Sequence, residues 1–161
     1  MAKKKGKAEG PRIKLICDNR QARHRFEILE KFEAGIMLMG SEVKACRLGR
    51  AHLTDAYARF KSGDLWLVGC HIGPYPPAGR EQHEPERPRK LLLNRSEIDK
   101  LSVKMKEGGL TVVPLRLYFN DKGMAKAEIG LARGKKLHDK RQDIAARESK
   151  RQMDRAMKRD R

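Results

Sequence analysis

Two strand-like runs, 53–60 and 64–72, meet at Lys61-Ser62-Gly63-Asp64, a polar turn with a glycine where a left-handed backbone is needed. That arrangement reads as an antiparallel hairpin, the clearest in the chain. A second hairpin follows the same plan. Residues 111–119 and 124–131 flank Asn120-Asp121-Lys122-Gly123, with Val112, Leu115 and Leu117 as core positions and Pro114 marking an edge or a bulge. Upstream, Ile13, Leu15 and Cys17 alternate as a short strand before Asp18-Asn19-Arg20-Gln21 turns the chain. Phe26, Ile28, Glu30 and Phe32 then share one face of a longer strand running to Ala34-Gly35.

Helical signals are fewer. Ser41 is placed to N-cap a short helix over 42–47 with Val43 and Cys46 inward, and Asn94 or Ser96 opens another carrying Ile98, Leu101 and Met105 before Gly108-Gly109. Five prolines between Gly73 and Pro88 predict an exposed, extended loop with almost nothing to bury. Five or six short strands in so small a chain favour closure, which removes unpaired edges. The predicted fold is mainly β: a small closed antiparallel barrel of the oligonucleotide-binding type with about three short accessory helices and a basic C-terminal tail. The predicted boundaries are a flexible basic arm over 1–11, the barrel over 12–132 and the tail over 133–161.

Charge separates these parts. The 161 residues carry 38 Lys and Arg against 21 Asp and Glu, a formal net charge of +17. Residues 1–14 hold six basic and one acidic, 132–161 hold twelve and five, and the long middle 15–131 holds twenty and fifteen. Cations gathered at the ends of a small domain call for a large polyanion, because phosphate binding releases condensed counterions. RNA, DNA and an acidic membrane surface all meet that requirement. No apolar run approaches the roughly 18 residues that cross a bilayer, and Met1-Ala2-Lys3-Lys4-Lys5 is not followed by an apolar segment, so a cytoplasmic protein without membrane attachment is expected. Cys17, Cys46 and Cys70 are odd in number and far apart, which predicts buried free thiols.

The segment 137–159 has few helix breakers and places Gln142, Ala145, Ala146, Ser149, Met153, Ala156 and Met157 on one stripe, with Asp143–Arg147 and Asp154–Lys158 at i,i+4. A stripe of mostly Ala and Ser is too thin to pack firmly on a core, so the tail is expected to be disordered alone and helical when bound to RNA.

Catalytic patterns are missing. The histidines, His24, His52, His71, His83 and His138, lack the spacing of a helical metal site, and Gly130 to Lys136 has three residues between its glycines where a phosphate loop has four. With no GxSxG or HExxH either, no catalytic residue, metal or cofactor is predicted. The run Arg133-Gly134-Lys135-Lys136-Leu137-His138-Asp139-Lys140-Arg141 can thread along phosphates while His138 stacks on a base, or it can be a solvated linker. Glu33 is equally readable as a surface carboxylate or as an acceptor for base edges and ribose hydroxyls. A structural ribosomal protein and an RNA-processing enzyme are the rival classes.

Five segments, in order, resemble the SsrA-binding protein (SmpB) family. They are Asn19-Arg20-Gln21-Ala22-Arg23-His24, Phe32-Glu33-Ala34-Gly35-Ile36, Gly40-Ser41-Glu42-Val43-Lys44 to Arg47, Arg89-Lys90-Leu91-Leu92-Leu93-Asn94 and Gly134-Lys135-Lys136-Leu137-His138-Asp139-Lys140-Arg141. The resemblance implies an oligonucleotide-binding-type barrel without catalytic activity or cofactor, acting as a monomer in ribosome rescue. Its implied partners are transfer-messenger RNA and the ribosome. Glu33, Leu92 and Lys126 match family positions for binding the tRNA-like domain of that RNA, with Arg23 and His24 as neighbours on that surface. His138 is implied to stack on a decoding-centre base of the small-subunit RNA. Lys135, Lys136, Asp139, Lys140 and Arg141 accompany it towards the empty mRNA channel, where the helical tail with Met153 and Met157 would lie. Cys46, His52, Ser149 and Ala156 depart from the residues usual in the family.

Overall fold

The computed structural model describes residues 13–159, so the predicted arm over 1–11 lies outside the described residues. The chain is mainly β, with one large antiparallel sheet and several helices. Its strands are β1 (Lys14–Asp18), β2 (Phe26–Ile36), β3 (Ala51–His52), β4 (Tyr57–Lys61), β5 (Asp64–Val68), β6 (His71–Ile72), β7 (Arg89–Leu92), β8 (Leu110–Phe119) and β9 (Ala125–Gly134). Four α-helices, α1 (Arg20–Arg25), α2 (Gly40–Arg47), α3 (Arg95–Lys106) and α4 (Leu137–Arg159), complete the described part, with a 3-10 segment at Pro76–Glu81. The large sheet runs β1-β8-β4-β5-β7-β2-β9, and β8 also pairs with β9. The short β3 and β6 pair separately.

Period-two patterning explains the long strands. On β2 the half-buried Phe26, Ile28, Glu30 and Phe32 alternate with exposed Glu27, Leu29, Lys31 and Glu33, ending in buried Ala34 and Ile36. Leu65 and Leu67 of β5, Leu91 of β7, Val112 and Leu117 of β8, and Ile129 and Leu131 of β9 meet in one core. Both predicted hairpins are present. Ser62 at φ 53 and Gly63 at φ 80 supply the two left-handed residues of the first turn. Pro114 marks a bulge and not an edge, since β8 has partners β1, β4 and β9 and its register against β9 shifts between Pro114 and Arg116.

Several local expectations are corrected. The run 53–60 becomes a turn, closed by the Ala56 N–H donating to the Leu53 carbonyl at 3.1 Å, before β4 begins at Tyr57. The run 64–72 breaks at Gly69, where φ is +73 and a Cβ would stand 3.0 Å from the Asp55 carbonyl oxygen. The turn expected at 18–21 is instead the start of α1. Asn19, 5% exposed, caps that helix by accepting from the Ala22 N–H at 3.1 Å, while its Nδ2 donates to the carbonyls of Leu53 and Pro114 at 3.0 Å each.

Helix α2 begins earlier than expected, and its N-cap is Met39, not Ser41. Glu42 reaches back to accept from the Met39 N–H at 2.7 Å. Ser41 faces inward to His83 Nδ1 at 2.9 Å, and His83 Nε2 donates to the Ile72 carbonyl at 3.0 Å. The proline-rich loop is therefore not a segment with almost nothing to bury. It sends Arg87 to Glu42, where Arg87 Nε and the fully buried Arg89 Nε each donate to Oε1 at 2.8 Å. Arg89 also donates to the carbonyls of Cys70 at 2.5 Å and Pro85 at 2.9 Å. Burial pushes the Glu42 carboxyl up, but hydrogen bonds from Arg87 and the Met39 N–H, with the charge of Arg89, outweigh it and hold the group below its ordinary value. Helix α3 keeps the expected boundaries, with Asn94 as N-cap and Ile98 and Leu101 buried. All three thiols are free, Cys46 and Cys70 buried and Cys17 half-buried.

Candidate nucleic-acid interface

Strand pairing builds the first cluster from four strands. In register across the sheet, Leu92 of β7 lies opposite Gly35 of β2, Gly35 opposite Lys126 of β9, and Lys126 opposite Tyr118 of β8. Alternation puts Glu33 on the same face as Gly35, while Ala34 and Ile36 turn to the core. Leu92 is 48% exposed beside the fully buried Leu91 for the same reason. Gly35 allows the close approach here, since a Cβ on it would stand 3.3 Å from the Leu92 Cβ. Gly35, Leu92, Met124 and Lys126, over a floor including Ile36 and Phe119, line a cleft of about 400 Å³.

Electrostatics on this face are paired. Lys126 Nζ is 3.9 Å from Glu33 Oε1, and the Tyr118 hydroxyl donates to Glu33 Oε2. The Arg116 guanidinium lies 5.5 Å from the centre of the Tyr118 ring and also donates to Glu128, which Lys31 approaches at 3.6 Å. Burial, then the hydrogen bond to Glu33 and that carboxylate's charge, push the Tyr118 phenol up to about 12, so at neutral pH it is a donor.

A second cluster sits at the other end of β2 and β9, where Phe26 pairs with Gly134. Here the Lys135 N–H donates to the Arg25 carbonyl at 3.0 Å, and Lys135 Nζ donates to the Arg23 carbonyl at 3.3 Å and to the Asp143 carboxylate. That hydrogen bond holds the Asp143 carboxyl below its ordinary value. Arg133, Lys135, Lys136, Asp139 and Asp143 line an open cleft of about 640 Å³. His138, Asp139 and Arg141 are exposed on the first turns of α4, and Lys140 is half-buried.

Of the residues singled out in the sequence, Glu33, Leu92 and Lys126 come together. Arg23 and His24 do not join them. They sit on α1, beyond Phe26 at the start of β2, and Phe26 and Glu33 are roughly 23 Å apart along an extended strand. Arg23 is instead beside Lys135 and pairs with Asp18 at 3.7 Å. Met153 and Met157, 62% and 66% exposed, lie far along α4, Met153 roughly 22 Å beyond His138 at the helical rise. Tyr118 and Arg116 are the contributors that sequence reasoning missed. Their spacing of two residues on a predicted strand was the available signal.

A match to the family model for the SmpB protein spans residues 16–159 and so takes in both clusters. The chain belongs to the SmpB family. An SsrA-binding protein of Symbiobacterium thermophilum is 56% identical over 146 residues, covering 91% of this chain and 92% of the relative. That of Thermobifida fusca is 52% identical over 159 residues, 99% of each chain. A chain of a solved structure described as tmRNA-SmpB at the center of the bacterial ribosome is 49% identical with a TM-score of 0.64, covering 75% of this chain and 85% of that one. The family match thus covers all but the first three of the described residues and not one cluster alone. Among the described residues, no helix is long and apolar enough to cross a membrane, and no three His, Cys, Asp or Glu residues gather as a metal-ligand set.

Proposed function

We propose that this chain binds the tRNA-like domain of transfer-messenger RNA through the face carrying Glu33, Leu92 and Lys126 and delivers it to the vacant A site of stalled ribosomes in trans-translation. Lys135, Lys136, His138, Asp139, Lys140 and Arg141, followed by α4 with Met153 and Met157, serve the decoding centre and the empty mRNA channel. The observation that carries this reading is the separation of two polar clusters to opposite ends of β2 and β9, one on the sheet and one leading into an exposed basic helix, in a chain 49% identical to a solved tmRNA-SmpB relative. RNA recognition and ribosome engagement then use different surfaces of one small protein. Arg23 and His24, on α1 at the other end of β2, are further contacts to the same RNA in this reading.

The reading includes a closed barrel of the oligonucleotide-binding type. Its support is that the pairings lead from β8 through β4, β5, β7, β2 and β9 back to β8. Among the described residues the barrel runs to the end of β9 at Gly134, two residues past the expected boundary, and the tail follows it. The protein acts in the cytoplasm as an RNA-binding protein without catalysis.

The test measures affinity of the full chain and of Glu33→Ala for the isolated tRNA-like domain and for an ordinary tRNA, at two salt concentrations. Preference for the tRNA-like domain that Glu33→Ala erases supports the reading. Equal binding of both RNAs by both proteins, governed by salt alone, would instead favour a structural ribosomal protein.

A further inference from the structure

One hydrogen bond on the sheet's outer face joins strands that are not neighbours. Tyr118 on β8, 4% exposed, donates to Glu33 on β2, with β9 and Lys126 between them. The phenol is fixed by its burial and by Arg116 over the ring. Glu33 itself is not fixed by packing, since its side chain is 59% exposed. A carboxylate free to rotate there would turn both oxygens towards the Lys126 ammonium and form a neutral surface pair. With Oε2 occupied by the hydroxyl, Oε1 is left as the oxygen nearer Lys126, at 3.9 Å.

We propose that Tyr118 is a positioning residue for RNA selection: its hydroxyl orients the Glu33 carboxylate as an acceptor for N–H or O–H donors on an exposed base edge or ribose. The proposal rests on the reading of the Glu33 face as the RNA site. Phosphate diesters carry no proton and are repelled by a carboxylate, so an oriented acceptor admits donor-bearing edges and turns the backbone away. Lys126 alongside takes the phosphate. Together they select an RNA that presents an unpaired base-edge donor next to a phosphate; a regular duplex shows 2′-hydroxyls there but keeps its Watson–Crick donors in pairs.

The experiment uses the full chain with Tyr118→Phe, which removes the hydroxyl and keeps the ring, and compares binding of the tRNA-like domain and of a plain RNA duplex across a salt series. Affinity for the tRNA-like domain is expected to fall about tenfold, the scale of a charge-assisted hydrogen bond. Duplex binding and the salt slope stay unchanged because no phosphate contact is lost. In a Glu33→Ala background the same change costs nothing further. Wild-type binding by Tyr118→Phe overturns the positioning role alone. So does an equal loss in the Glu33→Ala background, which would place the effect in the fold or in direct contact with RNA. Unaltered selectivity in Glu33→Ala by itself overturns the site and the positioning role together.

Discussion

The sheet and the terminal helix of this chain use positive charge in opposite ways. On the sheet several cations are matched: Lys126 faces Glu33, Arg116 and Lys31 face Glu128, and Lys90 faces Asp64 at 2.8 Å, while Arg89 of β7 and Arg87 of the loop before it converge on Glu42 of α2. On α4, Arg141, Arg147, Lys150, Arg151 and Arg155 stand exposed along a helix whose Asp143 is already engaged by Lys135. Matched charges are held in one geometry and discriminate between ligands. Exposed charges supply attraction that depends on salt and little on shape. The difference teaches that the net charge of +17 describes the helix better than it describes the site on the sheet.

The severest way to break the comparison is to remove the buried centre of the matched set. Glu42→Ala leaves two guanidinium groups facing a void, one of them fully buried, and is expected to cost roughly 3–5 kcal/mol of stability. Denaturant unfolding followed by the fluorescence of Trp66, the only tryptophan and paired with Lys90 in the sheet, measures that loss. Far-ultraviolet circular dichroism reports α4, the longest helix at 23 residues. Separate transitions uphold two independent regions. A single shared transition would merge them into one cooperative unit.

Next in size is a functional exchange. His138→Ala is expected to abolish peptide tagging on stalled ribosomes while leaving affinity for the tRNA-like domain within twofold. Lys126→Ala should lower that affinity about tenfold, the scale of a charge-assisted contact. Filter binding and a reconstituted tagging reaction separate the two. Equal loss of RNA affinity in both variants would mean that sheet and helix share one RNA surface.

How much of this was legible in the sequence depends on the range of the interaction. The hairpins at 61–64 and 120–123, the helix capped by Asn94 and the alternation on β2 all follow from neighbours a few residues apart, and each is present. Asn19 looked like a turn residue because its partners at Leu53 and Pro114 are distant in sequence. The loop 73–88 looked empty because His83 and Arg87 are polar, and their partners, Ser41 and the Ile72 carbonyl for His83 and Glu42 for Arg87, lie on other elements. Glu33, Leu92 and Lys126 were singled out by resemblance and lie together on the sheet, whereas the place of Tyr118 beside Glu33 depends on register across three strands. Arg23 and His24, expected by resemblance beside Glu33, stand at the other end of the eleven-residue β2.

A smaller effect sharpens the contrast. Lys150→Ala with Lys158→Ala removes two exposed cations from α4, and the slope of log affinity against log salt for ribosome binding should become shallower by about 1.4, at ~0.7 per lost contact with single-stranded phosphate. The same slope measured for the isolated tRNA-like domain should not change. A matching change with that RNA would show that α4 also lies on it.

The smallest effect concerns the join between the two regions. Lys135 binds Asp143 on α4, and this hydrogen bond, ahead of the charges of Lys135 and Arg147, lowers the carboxyl's pKa. A carboxylate whose folded pKa lies below its unfolded value contributes stability that is fully present above the unfolded range, near 3.9 for Asp, and is lost as pH falls through the folded value. Docking of the first turns of α4 against Lys135 is therefore indifferent to pH between 5 and 8 and loosens only in stronger acid. Amide exchange at Lys135 and Lys140, whose N–H groups donate to the Arg25 and Lys136 carbonyls, follows it residue by residue. In Asp143→Asn the same amides should exchange faster at neutral pH and show no acid transition. Loosening near neutral pH in the parent chain would show that the coupling of sheet and helix does not depend on this carboxylate.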